Sequence, residues 1–434
     1  MRSTKINVGV ALAASSLVAL MLASFATGAT RSAAGVGSGT ASATKAICGQ
    51  GTGKKATGAP IKLGGIDMLI PGVDFTTVGK IAAAYFQCVN DNGGIHGRPI
   101  QYTLYNEQLN PAQQAALARK LVQSDKVVGV VGNTSFTECG TNWRYYHSKG
   151  IIVIGAGVQA ECYSTPSFAE VNMGPRYSNV GAAQALIAAG VKSIAIASPN
   201  TISAYADGGV AALGKKLGIP VKIFPTALPV TDANSTILNL VQAAGPNGGV
   251  ILDFTPDTAP SLLNAAVAQG LVDKVKWGSS TPIANTFMAG QEKAFDHKMY
   301  INSEMSLLTE KGPDETLYDQ ITAKYAPKIS IQSFGQFGYL DAMFATRALL
   351  SISGPITLKS YNAAVANLKD QKTDMLCKPW YVGNIPFHIP NNTDITVDYS
   401  GGQVIPKTGC TAITAVDSAI TQTRKWETQY GLNG

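Results

Sequence analysis

Residues 91–99 read Asp-Asn-Gly-Gly-Ile-His-Gly-Arg-Pro, and this stretch decides the fold. An apolar helical run, residues 81–89, precedes it, and an alternating strand pattern, residues 100–105, follows it. Residues 61–68 predict an earlier strand. The order strand, polar loop, helix, glycine-rich turn and strand is a βαβ unit. Its loop after the first strand has no phosphate-binding glycine pattern. The chain therefore begins like one lobe of a small-molecule receptor.

The alternation of strands and helices continues through most of the chain. Apolar strand signals occur at residues 127–131, 151–154, 193–197, 221–224, 249–253 and 298–302. Helical stretches lie between them at residues 111–124, 139–149, 177–189, 207–217, 235–244 and 260–269. Continuous apolar strands are typical of sheets covered on both faces. We therefore predict an α/β fold with parallel sheets, right-handed crossovers and ligand chemistry at the carboxyl ends of the strands.

The first 59 residues predict export. A basic start, Arg2 and Lys5, precedes an uncharged apolar stretch at residues 8–25, and small residues follow up to Ala29. This pattern predicts a signal peptide over residues 1–29; a transmembrane anchor is the competing interpretation. A lipid anchor is not evident, because no cysteine follows the apolar stretch directly. Residues 30–59 are rich in Ala, Gly, Ser and Thr, which predicts a flexible spacer.

Length and charge narrow the class of protein. About 375 residues remain beyond the spacer, more than one hydrophobic core usually holds, so we expect two domains. The formal net charge of +7 comes from scattered Lys and Arg residues, without a basic run. Nucleic-acid binding therefore has little support.

Six cysteines in an exported chain predict disulfides. Six cysteines allow 15 pairings, and local order favours Cys48–Cys88, Cys139–Cys162 and Cys377–Cys410. The second pair is the best argued, because both cysteines follow neighbouring predicted strands at the same sheet edge. Cysteine and histidine residues do not have the close spacing of a metal site, so no metal is expected.

Residues 91–99 resemble the type I periplasmic-binding-protein family, the Leu/Ile/Val-binding branch of ABC-transporter solute receptors, which read N-x-x-GGI-x-G-x-P/K-I here. The resemblance runs from about residue 61 to 350, and residues 337–350 match the family's "YDA" helix. It implies two Rossmann-like lobes joined by crossover hinges. Lobe one would comprise residues 60–174 and 300–350, and lobe two residues 175–299 and 351–434.

The resemblance also implies ligand contacts from lobe one. The loop after the strand at 127–131 matches the family segment that holds a ligand carboxylate with Ser/Thr hydroxyls and backbone amides. This implies that Ser135 and Thr137 contact the ligand. The following loop, with Gly157 and Gln159, matches a second carboxylate-contacting segment. Turns that need small polar residues are an equally frequent explanation of both loops. Asp74 and Phe75, after the first strand, are predicted to line the cleft rim.

Lobe two offers Tyr205 at the position of the family's ligand-flanking tyrosine. Phe254 and Thr255 follow a buried strand and are predicted to face the cleft, although packing alone is the more frequent role of such residues. Where the amino-acid receptors place an acid that pairs with the ligand ammonium, this chain has Ser279 or Ser280. An α-amino acid is then doubtful unless Asp253, Asp257 or Glu304 supplies the charge.

The predicted function is an extracytoplasmic solute-binding protein of an ABC importer. The expected ligand is a small carboxylate-bearing molecule: a branched-chain or aromatic amino acid, an amide or an aromatic acid. The expected partner is a membrane permease, and a monomer without cofactor is expected. The alternatives are a ligand-sensing receptor for a membrane partner and a secreted hydrolase. No nucleophile elbow, Walker sequence or HExxH motif supports catalysis, so no enzyme activity is expected.

Overall fold

A computed structural model describes residues 45–382 and 388–432 of the chain. The predicted signal peptide and residues 30–44 of the predicted spacer lie outside the described residues. Among the helices that are described, none combines the length and the hydropathy that crossing a membrane requires.

The first part of the chain builds one sheet with its helices. Its strands are β1 (Ile61–Ile70), β2 (Val73–Asp74), β3 (Ile100–Glu107), β4 (Gly129–Asn133), β5 (Val153–Gly155) and β6 (Phe168–Glu170). Its helices are α1 (Thr76–Asp91), α2 (Pro111–Arg119), α3 (Glu138–Lys149) and α4 (Ala160–Ser164), with a π-helical turn at Lys120–Ser124. The parallel order is β3-β1-β4-β5-β6, and β2 folds back antiparallel on the end of β1.

The second sheet begins after a crossing at residues 171–173. The elements are α5 (Gly174–Ala188), β7 (Ile194–Pro199), α6 (Ser203–Leu217), β8 (Val221–Thr226), α7 (Ala233–Ala244), β9 (Gly249–Leu252), α8 (Ala259–Ala268), β10 (Lys276–Ser279), α9 (Thr286–Gln291) and β11 (Met299–Ser303). Short 3-10 turns lie at Thr281–Ile283 and Lys293–Phe295. Strands β8-β7-β9-β10-β11 are parallel neighbours, and β9 is buried along its whole length, as its unbroken apolar sequence predicts.

The chain then returns to the first sheet and crosses again. Helices α10 (Pro313–Tyr325), α11 (Ser333–Leu350) and α12 (Leu358–Ala366) come first, followed by β12 (Thr393–Ser400), β13 (Gln403–Pro406), β14 (Thr411–Ala412) and α13 (Ser418–Tyr430). Helix α11 packs along α1 so closely that a Cβ at Gly338 would lie 2.1 Å from the Val78 carbonyl oxygen. Strand β12 extends the second sheet antiparallel to β11, and β13 adds to its edge antiparallel to β12. The result is the two-lobe α/β architecture that the sequence predicts.

The lobe boundaries differ from the predicted ones at two places. Residues 300–303, predicted for lobe one, belong to β11, which pairs with β10 and β12 in the sheet of lobe two. Helix α12, predicted for lobe two, packs against α11 and β4 in lobe one. Backbone pairing explains the first difference, because β11 forms hydrogen bonds with strands on both of its sides in lobe two. Packing explains the second, because α12 buries Tyr361 and Val365 in the core around α11. The remaining boundaries stay a prediction.

The three disulfides pair as the local order of the cysteines predicts: Cys48–Cys88, Cys139–Cys162 and Cys377–Cys410. The first disulfide joins the predicted spacer to helix α1. Cys48 is buried, and the backbone of Thr52 and Ala56 donates hydrogen bonds to the chain at the end of α1. Over its described part, residues 45–59, the predicted flexible spacer is therefore fastened to lobe one.

Candidate functional site

A cavity lies where the carboxyl ends of the two sheets meet. The loops after β1, β4 and β5 supply its lobe-one wall, and those after β7, β9, β10 and β11 supply its lobe-two wall. Its volume is about 60 Å³. A water molecule needs roughly 10–15 Å³ of such space, so the cavity has room for more than a single water molecule. It occupies the position where open α/β sheets bind ligands.

The greater part of the cavity wall is apolar and aromatic. Phe75 stands at its centre, with its ring edge-on to Phe136 at 5.2 Å and to Phe334 at 5.3 Å between ring centroids. Phe334 also lies 6.2 Å from Phe337 along α11. Phe254 adds a ring from lobe two, and Val158, Ile202 and three prolines complete the apolar wall. Such a surface favours an apolar portion of a solute.

Two buried carboxyl groups, Asp253 and Glu304, line the cavity. Asp253 follows β9, and its Oδ1 accepts the Ser280 hydroxyl at 2.5 Å while its Oδ2 accepts the Asn179 side-chain amide at 2.9 Å. Burial raises the pKa of Asp253 to about 6, and the two hydrogen bonds oppose that rise. Asp253 therefore has fixed acceptor oxygens beside an apolar wall.

Glu304 is the second carboxyl, and it lies at the crossing that follows β11. Its Oε2 accepts the backbone N–H of Met173, which belongs to the other crossing. Burial raises the pKa of Glu304 to about 7, with a further contribution from the charge of Asp253. Of the described residues, those that line the cavity include no Lys, Arg or His. A cationic or hydrogen-bond-donating group of a solute is the natural partner of these two carboxyls.

Hydrogen bonds join the two lobes at the mouth of the cavity. The carbonyl oxygen of Gly72, in the β1–β2 turn, accepts the hydroxyls of Thr255 at 3.1 Å and Thr258 at 2.8 Å. The backbone N–H of Asp74 donates to Asp257 Oδ2 at 3.1 Å. These bonds run between a hairpin of lobe one and the start of α8 in lobe two, so they hold the cavity closed.

Four of the predicted ligand contacts line the cavity: Phe75, Phe254, Thr255 and Ser280. Asp74 lies at the outer mouth, where its Oδ1 accepts the N–H of Thr76 at 2.8 Å. Their contact with a ligand stays a prediction.

The predicted carboxylate loops have other partners in the structure. The hydroxyls of Ser135 and Thr137 face Glu107, with Ser135 Oγ 2.5 Å from its Oε1. The N–H of Gly157 donates to Glu170 at 2.6 Å, and the side chain of Gln159 accepts the N–H of Gly140 at 3.0 Å. These four residues do not line the cavity, whereas Phe136 and Val158, their immediate neighbours, do.

Tyr205 is also outside the cavity wall. Its ring stacks on Tyr163 with centroids 6.5 Å apart, and the Arg176 guanidinium lies 5.7 Å from its centre. It therefore packs at the lobe junction beside the cavity.

Sequence reasoning missed Phe136, Asn172, Phe334 and Phe337, and considered Glu304 only as a substitute acid. The sequence does point to Phe136, because this residue lies between Ser135 and Thr137, the two predicted contacts. It does not distinguish Phe334 and Phe337 from core residues, since they belong to the apolar stripe of α11. Glu304 follows the apolar strand β11, as Asp253 follows β9, and this parallel was available in the sequence.

One cluster outside the cavity has the composition of a metal site. Cys139, Cys162 and Glu170 place their sulfur and carboxylate atoms within 4.8 Å of one another. The two sulfurs are bonded to each other, so neither is a thiolate, and metal binding requires thiolates. With the disulfide formed, the cluster does not fit a metal ion.

Comparison with known proteins agrees with this geometry. A structure of a fatty acid ABC transporter substrate-binding protein from Thermomonospora curvata superimposes with a TM-score of 0.71 at 15% identity, covering 84% of this chain and 95% of the other. A branched-chain amino acid ABC transporter structure from Thermus thermophilus, with bound valine, gives 0.70 at 14% identity, covering 85% and 99%. An R. palustris solute-binding protein in complex with benzoate gives 0.64 at 18% identity, covering 83% and 99%.

These likenesses concern the fold, because the identities are low. No curated protein sequence matches the chain. The family profile described as "Periplasmic binding protein" matches residues 75–392, which include most of both lobes and every residue that lines the cavity. The chain therefore belongs to the type I periplasmic-binding-protein family, as residues 91–99 predict.

Proposed function

We propose that this chain is the extracytoplasmic solute-binding protein of an ABC importer, which encloses one small solute between its lobes and delivers it to a membrane permease. The observation that carries the proposal is the cavity at the carboxyl ends of both sheets, closed by the hydrogen bonds from Thr255 and Thr258 to Gly72. The family is one of solute receptors, which supports binding without turnover and a site of action outside the cytoplasm.

The chemistry of the cavity narrows the solute. A cavity lined by aromatic side chains together with Asp253 and Glu304 favours a small molecule with an apolar body and an ammonium or other donor group. Branched-chain and aromatic amino acids have both parts. A carboxylic acid without an amine would place its charge beside two carboxyls, and it would bind only if Asp253 and Glu304 were protonated. The sequence predicts that the hydroxyls of Ser135 and Thr137 bind a ligand carboxylate. Both hydroxyls instead contact Glu107, so they give less support to a ligand that is only a carboxylic acid.

A matched panel tests the proposal. Leucine, its amine analogue isopentylamine and its acid analogue isocaproate share one apolar body and differ only in the groups that carry charge. We expect thermal stabilisation by solutes with an ammonium group, with one solute bound per chain and the solute recovered unchanged. At about a hundredfold excess over Kd the stabilisation is about 2.7 kcal/mol. Binding of isocaproate alone would contradict the proposed preference for an ammonium group. Consumption of any solute at catalytic protein levels would exclude the receptor function.

A further inference from the structure

A buried lysine, Lys378, lies in the segment that returns to lobe two, and it belongs to no part of the cavity. Its partners are Asn392, just before β12, and Glu427, on α13. The three residues are 8%, 1% and 2% exposed. Lysine is seldom buried unless its ammonium group is paired, so this group of three needs an explanation.

The three side chains form a closed triangle. Lys378 Nζ donates to Asn392 Oδ1 at 3.0 Å and to Glu427 Oε1. Asn392 Nδ2 donates to the same Glu427 oxygen at 2.8 Å. One carboxylate therefore contacts both the amine and the amide nitrogen, while the amine touches the carboxamide directly.

Further hydrogen bonds hold the three side chains in place. Asn392 is fixed by its side-chain bond to the Ile389 carbonyl at 2.8 Å and by the N–H of Ile413, which donates to its carbonyl at 3.1 Å. The Tyr381 hydroxyl donates to Glu427 Oε1 at 2.8 Å. Burial lowers the pKa of Lys378, although the charge of Glu427 opposes this. The lowered pKa makes it easier for the ammonium group to lose the proton that it must give up before the amine can act as a nucleophile.

We propose that Lys378 and Asn392 form an intramolecular isopeptide bond, with Glu427 as the proton relay. A nucleophile, an electrophile and an acid–base group held in contact by a rigid fold have most of the entropic barrier removed. An amide and an amine do not react in water at ordinary temperature, and the buried carboxyl supplies the proton transfers that the reaction lacks there.

The step balances without an external reagent. The Lys378 ammonium gives one proton to Glu427, and the freed Nζ lone pair attacks Asn392 Cγ. As the Nζ–Cγ bond forms, Glu427 gives its proton to Nδ2, the Cγ–Nδ2 bond breaks with its electron pair, and ammonia leaves. Nζ returns a proton to the carboxylate, so Glu427 ends protonated beside the new amide. Nothing is oxidised or reduced.

The bond would reinforce the return of the chain to lobe two. Lys378 follows Cys377, which is already joined to Cys410 beyond β13, and Asn392 precedes β12. The new link would close a ring over residues 378–392 and remain intact under reducing conditions, in which the disulfide opens. Both ends of the last crossing would then be covalently anchored.

Mass spectrometry of the mature full-length protein tests this directly. Trypsin does not cut at Lys378, because Pro379 follows, so residues 373–407 form one peptide that contains both reacting residues. After reduction and alkylation we expect this peptide to be lighter than its sequence mass by one ammonia. Its fragmentation should give no single-cleavage fragments between residues 378 and 392, and Lys378 should resist acetylation in the unfolded chain.

Two variants sharpen the test. Glu427→Gln keeps the shape of the side chain but cannot accept a proton, so this peptide should have its full mass. Glu315→Gln, a control at another buried glutamate in lobe one, should retain the ammonia loss. A wild-type peptide of full mass with an acetylatable Lys378 overturns the proposal, whether or not the variants fold. Loss of ammonia with normal fragments between 378 and 392 indicates a succinimide at Asn392 and overturns it equally.

Discussion

The Ser280 hydroxyl donates a 2.5 Å hydrogen bond to Asp253. Ser279 or Ser280 lies where the resemblance implies an acid in the amino-acid receptors, and the sequence alone shows only serines there. In the fold, the end of β10 lies next to the end of β9, because the two strands are parallel neighbours. The adjacent strand therefore places the carboxylate of Asp253 beside Ser280, and the serine hydroxyl orients it.

Asp253→Asn should weaken the binding of an ammonium-bearing solute by roughly 10- to 100-fold, since a charge-assisted hydrogen bond contributes about 1.5–3 kcal/mol. Titration calorimetry measures the change. Asp207→Asn is the matched control: Asp207 is also buried in lobe two, where it accepts the hydroxyls of Ser198 and Ser203, but it does not line the cavity. Equal losses in both variants would indicate a general effect on lobe two and not a contact with the solute.

Binding should depend on pH through the same carboxyls. The pKa of Asp253 is raised to about 6 and that of Glu304 to about 7. Both groups ionise as the pH rises from about 5 to about 8, so the affinity for an ammonium solute should increase over this range, by at most about tenfold per pH unit and group. A solute that carries only a carboxylate should show the opposite trend. An affinity for the amine that falls with rising pH would contradict the assignment.

Thr258→Val should weaken solute binding without changing the cavity wall. Thr258 does not line the cavity, and its hydroxyl donates to Gly72 across the cleft at 2.8 Å. Loss of one such bond costs about 0.5–1.5 kcal/mol. The bond joins the two lobes, so its loss destabilises the closed state and not the open one, and Kd should rise by roughly 2- to 10-fold. Thr258→Ser keeps the hydroxyl and should bind nearly as the wild type does. Unchanged affinity in the valine variant would show that this bond does not stabilise closure.

The free energy of unfolding should decrease as the pH rises above about 4. Burial raises the pKa of Glu138 to about 8, although its side chain accepts from Asn133 and from Tyr146 at 3.0 Å. Between its ordinary pKa, about 4.3, and this value, the folded state binds the proton more tightly than the unfolded state does. The stabilisation is complete below the unfolded pKa and is lost as the pH rises through the folded one.

Glu138→Gln should therefore flatten the pH dependence of the free energy of unfolding, with a difference on the order of 4 kcal/mol between about pH 5 and pH 8. Its amide oxygen still accepts both hydrogen bonds, which limits other effects of the change. Asp273→Asn, an exposed carboxylate in lobe two, should leave the wild-type slope intact. A slope unaffected by Glu138→Gln would assign the pH dependence to other buried carboxyls.

The sequence predicted the fold more fully than the site, for a physical reason. Strand and helix periodicity is local, so β9 and α11 are visible in the sequence, and local order was enough to pair the cysteines. Cavity contacts depend on which side of a loop faces the partner lobe. The choice of Ser135 and Thr137 over Phe136 shows this: the three residues share a loop, but the hydroxyls turn to Glu107 while the ring meets Phe75. Glu107 lies at the end of a different strand, which no local pattern connects to that loop.

The closure of the two lobes over a solute is the central claim, and small-angle X-ray scattering of the mature protein tests it most directly. The measurement compares the radius of gyration without solute and with a saturating solute identified in the matched panel, for the wild type and for Asp253→Asn. We predict compaction of the wild type on binding, since hinge closure brings the lobes together. With the solute at about ten times the wild-type Kd, we predict clearly less compaction of Asp253→Asn, because a 10- to 100-fold loss of affinity leaves that variant about half bound or less. Saturation of the wild type without any change in the radius of gyration, or equal compaction of both proteins, would contradict the account.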